Sequence, residues 1–395
     1  MIMKKLYLRA LICTHSFICN FGFRGFQSLL QSASSIHRDR GINISESNAQ
    51  EYSQDAAKVS FRTNSTHVSW PIVEANEKDT AGSTSAENYE IQERNYAERE
   101  CLQFLQQHMM PIDVPNAESL GFPSKNAAQL PDGLSFGIVG PSIKLSLEAK
   151  RDYHAWTKDV PREIYYEYVA NFANVNEPRT NWRPIFYKAL APIVQQFVQD
   201  HNVKVEAVVD AVNDHVWSAF NHLVMLDKGE IRFEAGQTPL IYDPMSVLLF
   251  GYASCTGISI FLINALRAVG IPARLAGTDA WNGVVENGNH SWIEVWIKHK
   301  WYILEAKPAA GGLVKDWMNN PCKFWFCNPS KAANTTFYAA RLSTTQLDSE
   351  TSNQELSRRL TDQIHFPLAW DRDNQGIPGE NRTIYMIEIC TQCIQ

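Results

Sequence analysis

Between residues 256 and 269, apolar side chains fall at Ile258, Phe261, Leu262, Ala265, Leu266 and Val269. That i, i+3, i+4 spacing predicts a helix with one apolar face, largely buried. Gly270 suits the left-handed position just past the helix end, and Ser254 can cap its start. After Pro272 a short strand, 273–276, leads into a loop rich in Gly and Asn, 277–289. Ser291, Ile293, Val295 and Ile297 then alternate with Trp292, Glu294 and Trp296, which predicts a strand. Lys298-His299-Lys300 turns the chain, and 301–304 returns beside it.

Upstream, the helical period recurs. Ala97, Cys101, Leu102, Leu105 and Met109 predict a helix ending near Pro111, followed by a Pro- and Gly-rich connection to about Pro141. Further helices are expected over 145–156, from Pro161 through Phe172, from Trp182 through Phe197, and over 204–223. Residues 228–242 read as strand and turn, and 244–250 as a short helix or turn. Downstream, 338–342, 366–371 and 382–389 read as strands, with a polar, exposed segment over 346–363. Residues 43–90 are rich in Ser, Thr, Asn and Glu and lack periodicity, apart from a strand pair near 59–61 and 68–70. The chain therefore divides into a leader (1–30), a polar linker or disordered segment (31–94), a helical region (95–225), a core (226–345) and a short C-terminal β extension (346–395). The fold class is α+β.

Composition narrows the function classes. With 36 Lys and Arg against 42 Asp and Glu, the net charge is −6. A nucleic-acid binder would show a basic stripe instead. No phosphate-binding glycine loop and no His-Glu-x-x-His occurs, so no cofactor or metal is expected. Lys4, Lys5 and Arg9 open a moderately apolar stretch to Phe23, too polar and short for a membrane span. It reads as a secretory leader, with an organellar transit peptide as the rival. Cys322-x4-Cys327 and Cys390-x2-Cys393 allow three readings: disulfides, a zinc site, or unpaired buried thiols. Sequons at Asn43, Asn64, Asn334 and Asn381 lend secretion weak support. Asn289-His290-Ser291 also matches, but a glycan there would block the proposed site.

The candidate chemistry lies between Cys255 and Glu305. Cys255 sits at the first turn of the predicted helix, where free N–H groups and the positive dipole end favour a thiolate. His290 opens one strand of the hairpin and Glu305 follows the other, so the two are expected a few rungs apart at most. Thiol, imidazole and carboxylate suit the roles of nucleophile, base and orienting acid. The Cys255 N–H is a natural oxyanion donor. Gly251 and Gly257 flank the nucleophile, where a close-approaching substrate would need small residues. Arg274 is expected to pair with a carboxylate and serve structure. Trp217 and Trp292 are read as core residues, with Trp292 also able to line an acyl groove.

Cys-x-Gly opening a buried helix, then Gly-Ile-Pro-Ala-Arg, then His-x-Trp-x-Glu-Val-Trp, then Trp301 followed four residues on by an acid, resembles the transglutaminase-like superfamily from Gly251 to Pro308. Val160-Pro161-Arg162-Glu163 and the segment from Asn176 to Arg183 are similar to the helical part of longer relatives. The resemblance implies a papain-like core with a helical N-terminal layer and an antiparallel sheet. It implies Cys255 as nucleophile, His290 as base and Glu305 as orienting acid. Glu305 stands where the family usually has Asp, so its extra methylene must be accommodated. The implied activity is acyl transfer or hydrolysis at protein or peptide amides through a Cys thioester. The alternative is a weak or inactive relative serving as a binding or scaffold module. Relatives often continue into β-sandwich modules; here such a module is expected to be absent or truncated.

Overall fold

Among the described residues, long helices come first and a sheet follows. The structure, a computed structural model, describes residues 85–123, 137–221, 229–342 and 363–393. The predicted leader, the strand pair near 59–70 and the polar 346–362 stretch lie outside them. The helical layer contains α1 (Ser85–Gln107), α2 (Val139–Asp152), α3 (Arg183–Val198) and α4 (Val205–His215). Helix α1 starts within the segment read as linker. Residues 162–170 form one α-turn and then a π-helical turn, Tyr166–Ala170, buried throughout.

Two short parallel strands, β1 (Arg232–Phe233) and β2 (Tyr252–Ala253), flank helix α5 (Pro244–Phe250). Asp243 caps α5 by accepting from the N–H groups of Met245 and Ser246, as a short carboxylate does at a helix start. The chain then enters α6 (Cys255–Ala268). After it come β3 (Ala273–Thr278), β4 (His290–Ile297), β5 (Lys300–Leu304), β6 (Tyr338–Ala340), β7 (Gln363–His365) and β8 (Pro378–Asn381). These six strands make one sheet, ordered β5-β4-β3-β6-β8-β7, with every neighbouring pair antiparallel. The architecture is the mixed helix and antiparallel-sheet fold expected of a transglutaminase-like core. Among the described residues no helix is long and apolar enough to cross a membrane.

Helix α6 departs from the one-faced pattern. Every residue from Thr256 to Ala268 is buried, because the sheet covers one side and the helical layer the other. A helix covered all round must satisfy its polar side chains internally. Asn264 accepts from Asn174, and Arg267 donates to the carbonyls of Asn171, Ala173 and Ala273. Gly270 has φ 80°, the left-handed position expected after the last turn.

The C-terminal readings need correction. Residues 382–389 are not a strand: Thr383–Cys390 is a helix, α7. Met386 and Cys390, four residues apart, face the core while Ile384 is exposed. Two disulfides, Cys322–Cys393 and Cys327–Cys390, tie this end to the 321–328 loop. Residues 366–371 form only an isolated bridge, Leu368 with Asp371. Strands β7 and β8, in the C-terminal segment, add to the core sheet beyond β6.

Candidate active site

Cys255 is the one residue of α6 that is not fully buried. Ser254 occupies the cap position but makes no capping bond; its hydroxyl turns to Thr238 Oγ1, 3.3 Å away. The expected Ser254 cap is therefore corrected, and its side chain leaves the first-turn N–H groups alone. Two glycines also serve differently from the reading above. A Cβ on Gly257 would lie 2.6 Å from the Ile241 carbonyl oxygen, so this glycine admits the protein's own backbone, not a substrate. Gly251 has φ 74° and ends α5.

Hairpin register sets the other two groups. Ile293 pairs with Leu304, which places Glu305 next to the Trp292 rung and diagonal to His290 on the same face. A longer carboxylate reaches across such a diagonal. His290 Nε2 and Glu305 Oε1 are 2.8 Å apart, with His290 6% and Glu305 2% exposed. The imidazole and the Cys255 thiol also act on each other electrostatically, the thiol lowered and the ring raised by the pairing. A hydrogen bond thus joins ring and carboxylate, and charge couples ring and thiol. Thr256 Oγ1 lies 3.1 Å from Ser291 Oγ, and Ser259 donates to the Ser291 carbonyl. These bonds fasten the start of α6 to β4 beside His290.

Electrostatics suit a charged pair. Burial pushes the Cys255 thiol up, but bonds from His290, the Ser291 backbone and Thr256 outweigh it, and the thiol ends below its ordinary value. Burial pushes the His290 imidazole down; its bonds to Cys255 and Glu305, and their charges, carry it up to about 9. The two shifts, thiol down and imidazole up, both run toward a thiolate–imidazolium pair, the reactive form of a cysteine nucleophile. Cys101, the other free thiol among the described residues, is buried and pushed far upward by desolvation.

The helical layer reaches the site through α4. Asn213 donates to the Glu305 carbonyl at 3.0 Å and accepts from the Lys307 N–H at 2.9 Å. Trp217 stays in the core, its indole on the Asn213 carbonyl and its ring against Phe261. Trp292 is fully buried and stacks on Phe326 behind His290, so it backs the imidazole rather than lining a groove. Arg274 pairs with Glu294 and Glu380, as a structural arginine would.

Trp325 is the participant that sequence reasoning missed. Its indole N–H donates to Glu305 Oε1 at 3.3 Å, and its ring lies 4.8 Å from the His290 ring. The only local signal was an aromatic run, Phe324-Trp325-Phe326, between two cysteines. The zinc reading of those cysteines gives way to cross-paired disulfides, and no metal-binding cluster of His, Cys, Asp and Glu occurs among the described residues.

Residues 196–306 match the family model of the transglutaminase-like superfamily. The match takes in all three residues of the constellation. A solved structure described as a "Putative Cysteine Protease from Cytophaga hutchinsonii" is 17% identical, with a TM-score of 0.23. The alignment covers 51% of this chain and only 57% of that one. No curated protein matches the chain.

Proposed function

We propose that this protein is a thiol enzyme performing acyl transfer or hydrolysis at protein or peptide amides. The observation that carries the reading is the His290 ring, 2.8 Å from the Glu305 carboxylate and coupled in charge to the Cys255 thiol at the start of α6. The superfamily match over 196–306 supports the thiol-enzyme class.

The Cys255 thiolate attacks the carbonyl carbon of a carboxamide, whose oxygen gains charge near the Cys255 N–H. His290, as imidazolium, gives its proton to the leaving nitrogen, and ammonia or an amine departs. A thioester remains on Cys255. An acceptor, water or an amine, then loses a proton to His290 as it attacks the thioester carbonyl. The thiolate leaves and the pair is restored. Glu305 holds the ring so that one nitrogen always faces sulfur, and it stabilises the imidazolium. Which acceptor wins depends on how well the site excludes water.

We also propose an extracytoplasmic location, supported by the two disulfides, which persist in oxidising compartments. The test of the enzymatic reading is timed alkylation with iodoacetamide near pH 6.5, followed by peptide mapping. Cys255 should react at least about tenfold faster than Cys101. Equal rates would sink the activated nucleophile. Incorporation of an amine probe into a Gln-containing protein, lost in Cys255→Ala, would identify transfer; release of ammonia or a peptide amine without incorporation would identify hydrolysis.

A further inference from the structure

Trp325 is 49% exposed, yet it is held from several directions. Its N–H meets Glu305 Oε1, the same oxygen that meets His290. Its ring rests against His290 and, at 5.7 Å, edge-on against Trp281. The Lys331 ammonium stands 4.7 Å over both indoles and closes the outer side. On either side in sequence, Cys322 and Cys327 bind the loop covalently to α7 and the residues after it. Phe326, the next residue, packs on His290 and stacks on Trp292.

Glu305 has one more rotatable bond than an aspartate, so its carboxylate has more ways to leave the ring. A second donor on the bonded oxygen removes that freedom. We infer that Trp325 is a positioning residue that holds the Glu305 carboxylate on His290, its seat fixed by the two disulfides to the C-terminal helix. The inference rests on the reading of Cys255, His290 and Glu305 as the catalytic groups. Trp325 itself touches the acid and the ring but need not touch the substrate.

The test uses the full chain and the pH profile of Cys255 alkylation, with thermal melting as a fold control. Trp325→Phe keeps a ring but loses the N–H. It should move the profile midpoint up by about one pH unit, a tenfold loss of thiolate below it, while the melting temperature stays near that of the parent. Trp325→Gln, which returns an N–H donor, should recover part of the shift. An unchanged midpoint in Trp325→Phe, or a fall in melting temperature and rate with no midpoint shift, overturns the inference. His290→Ala separates the two levels. If it too leaves the profile unchanged, the triad reading itself fails; if it shifts the profile and Trp325→Phe does not, only the positioning role fails. Should Trp325→Ala not fold, Trp325→Phe decides.

Discussion

Glu294 and Glu305 belong to one hairpin, both almost wholly out of water at 0% and 2% exposure, and they do opposite work. Glu294, in β4, is gripped by permanent cations. Arg274 donates twice to its Oε2, at 2.9 and 2.7 Å, and Arg382 to its Oε1 at 2.9 Å. Arg274 continues to Glu380 in β8 and lies 3.9 Å over the Trp301 ring. The cluster joins β3, β4 and β8 through charge-assisted hydrogen bonds. Glu305 faces a titratable imidazole and an indole instead. On the function proposed above, a buried carboxylate serves as a structural clamp or a chemical tool according to whether its partner can move a proton.

The sharpest way to break that comparison is to remove one partner from each carboxylate. Arg274→Ala leaves Glu294 and Glu380 short of a buried counter-charge. It should cost about 3–5 kcal/mol in urea unfolding. Glu305→Gln keeps the shape at the other end and should cost less than Arg274→Ala, because only the Glu305 share of the interactions that raise His290 is lost. Its loss should appear in chemistry, as a fall in acyl transfer of about 100-fold or more. If Glu305→Gln unfolds the protein while activity per folded molecule stays, the two carboxylates do not differ as described.

A smaller effect concerns how the thiol is delivered. Gly257→Ala drives a methyl into the Ile241 carbonyl and the Ala253 side chain. About 1–3 kcal/mol of stability should be lost in the same unfolding assay. Cys255 alkylation should slow with it, because the first turn of α6 shifts.

The two carboxylate clusters also predict opposite pH limits. Burial alone would raise the Glu380 carboxyl, but Arg274 and Arg382 bring it down to about 2. A depressed folded value stabilises above the unfolded carboxylate range, near 4.5, and that contribution disappears as pH falls toward about 2. His290 has the opposite sign. Raised from 6.5 to about 9, it stabilises fully below 6.5, and the contribution is lost as pH rises through about 9. Melting temperature against pH should therefore drop on the acid side in the parent and less in Glu380→Gln. On the alkaline side it should fall less in His290→Ala.

The smallest change is in the hairpin turn. Lys298 and His299 both hold positive φ, 49° and 64°, the pair of left-handed positions of a two-residue turn that favours Asn-Gly. Replacing them with Asn and Gly should raise stability by about 1 kcal/mol, read as a higher urea midpoint, with no change in Cys255 reactivity.

What the chain alone determined was local. The apolar period of 258–269, Gly270 after it, and the alternation of 291–297 with its return at 301–304 specify a helix and a hairpin through near neighbours. Their order brings Cys255, His290 and Glu305 to adjacent elements. The Glu305 methylene, read as a departure, proved compatible with a 2.8 Å contact because the two residues are diagonal on the hairpin. Tertiary structure decided what depends on distant partners. The cysteines pair across 71 and 63 residues. An apolar run that alternates like a strand becomes helix α7, where packing of Met386 and Cys390 and two covalent ties override local preference. Likewise Trp325 reaches Glu305, and Asn213 the same residue's carbonyl, only because separate layers meet there. Spacing along a chain reports which side chains share a face of one element; which faces then meet is a matter of packing in three dimensions.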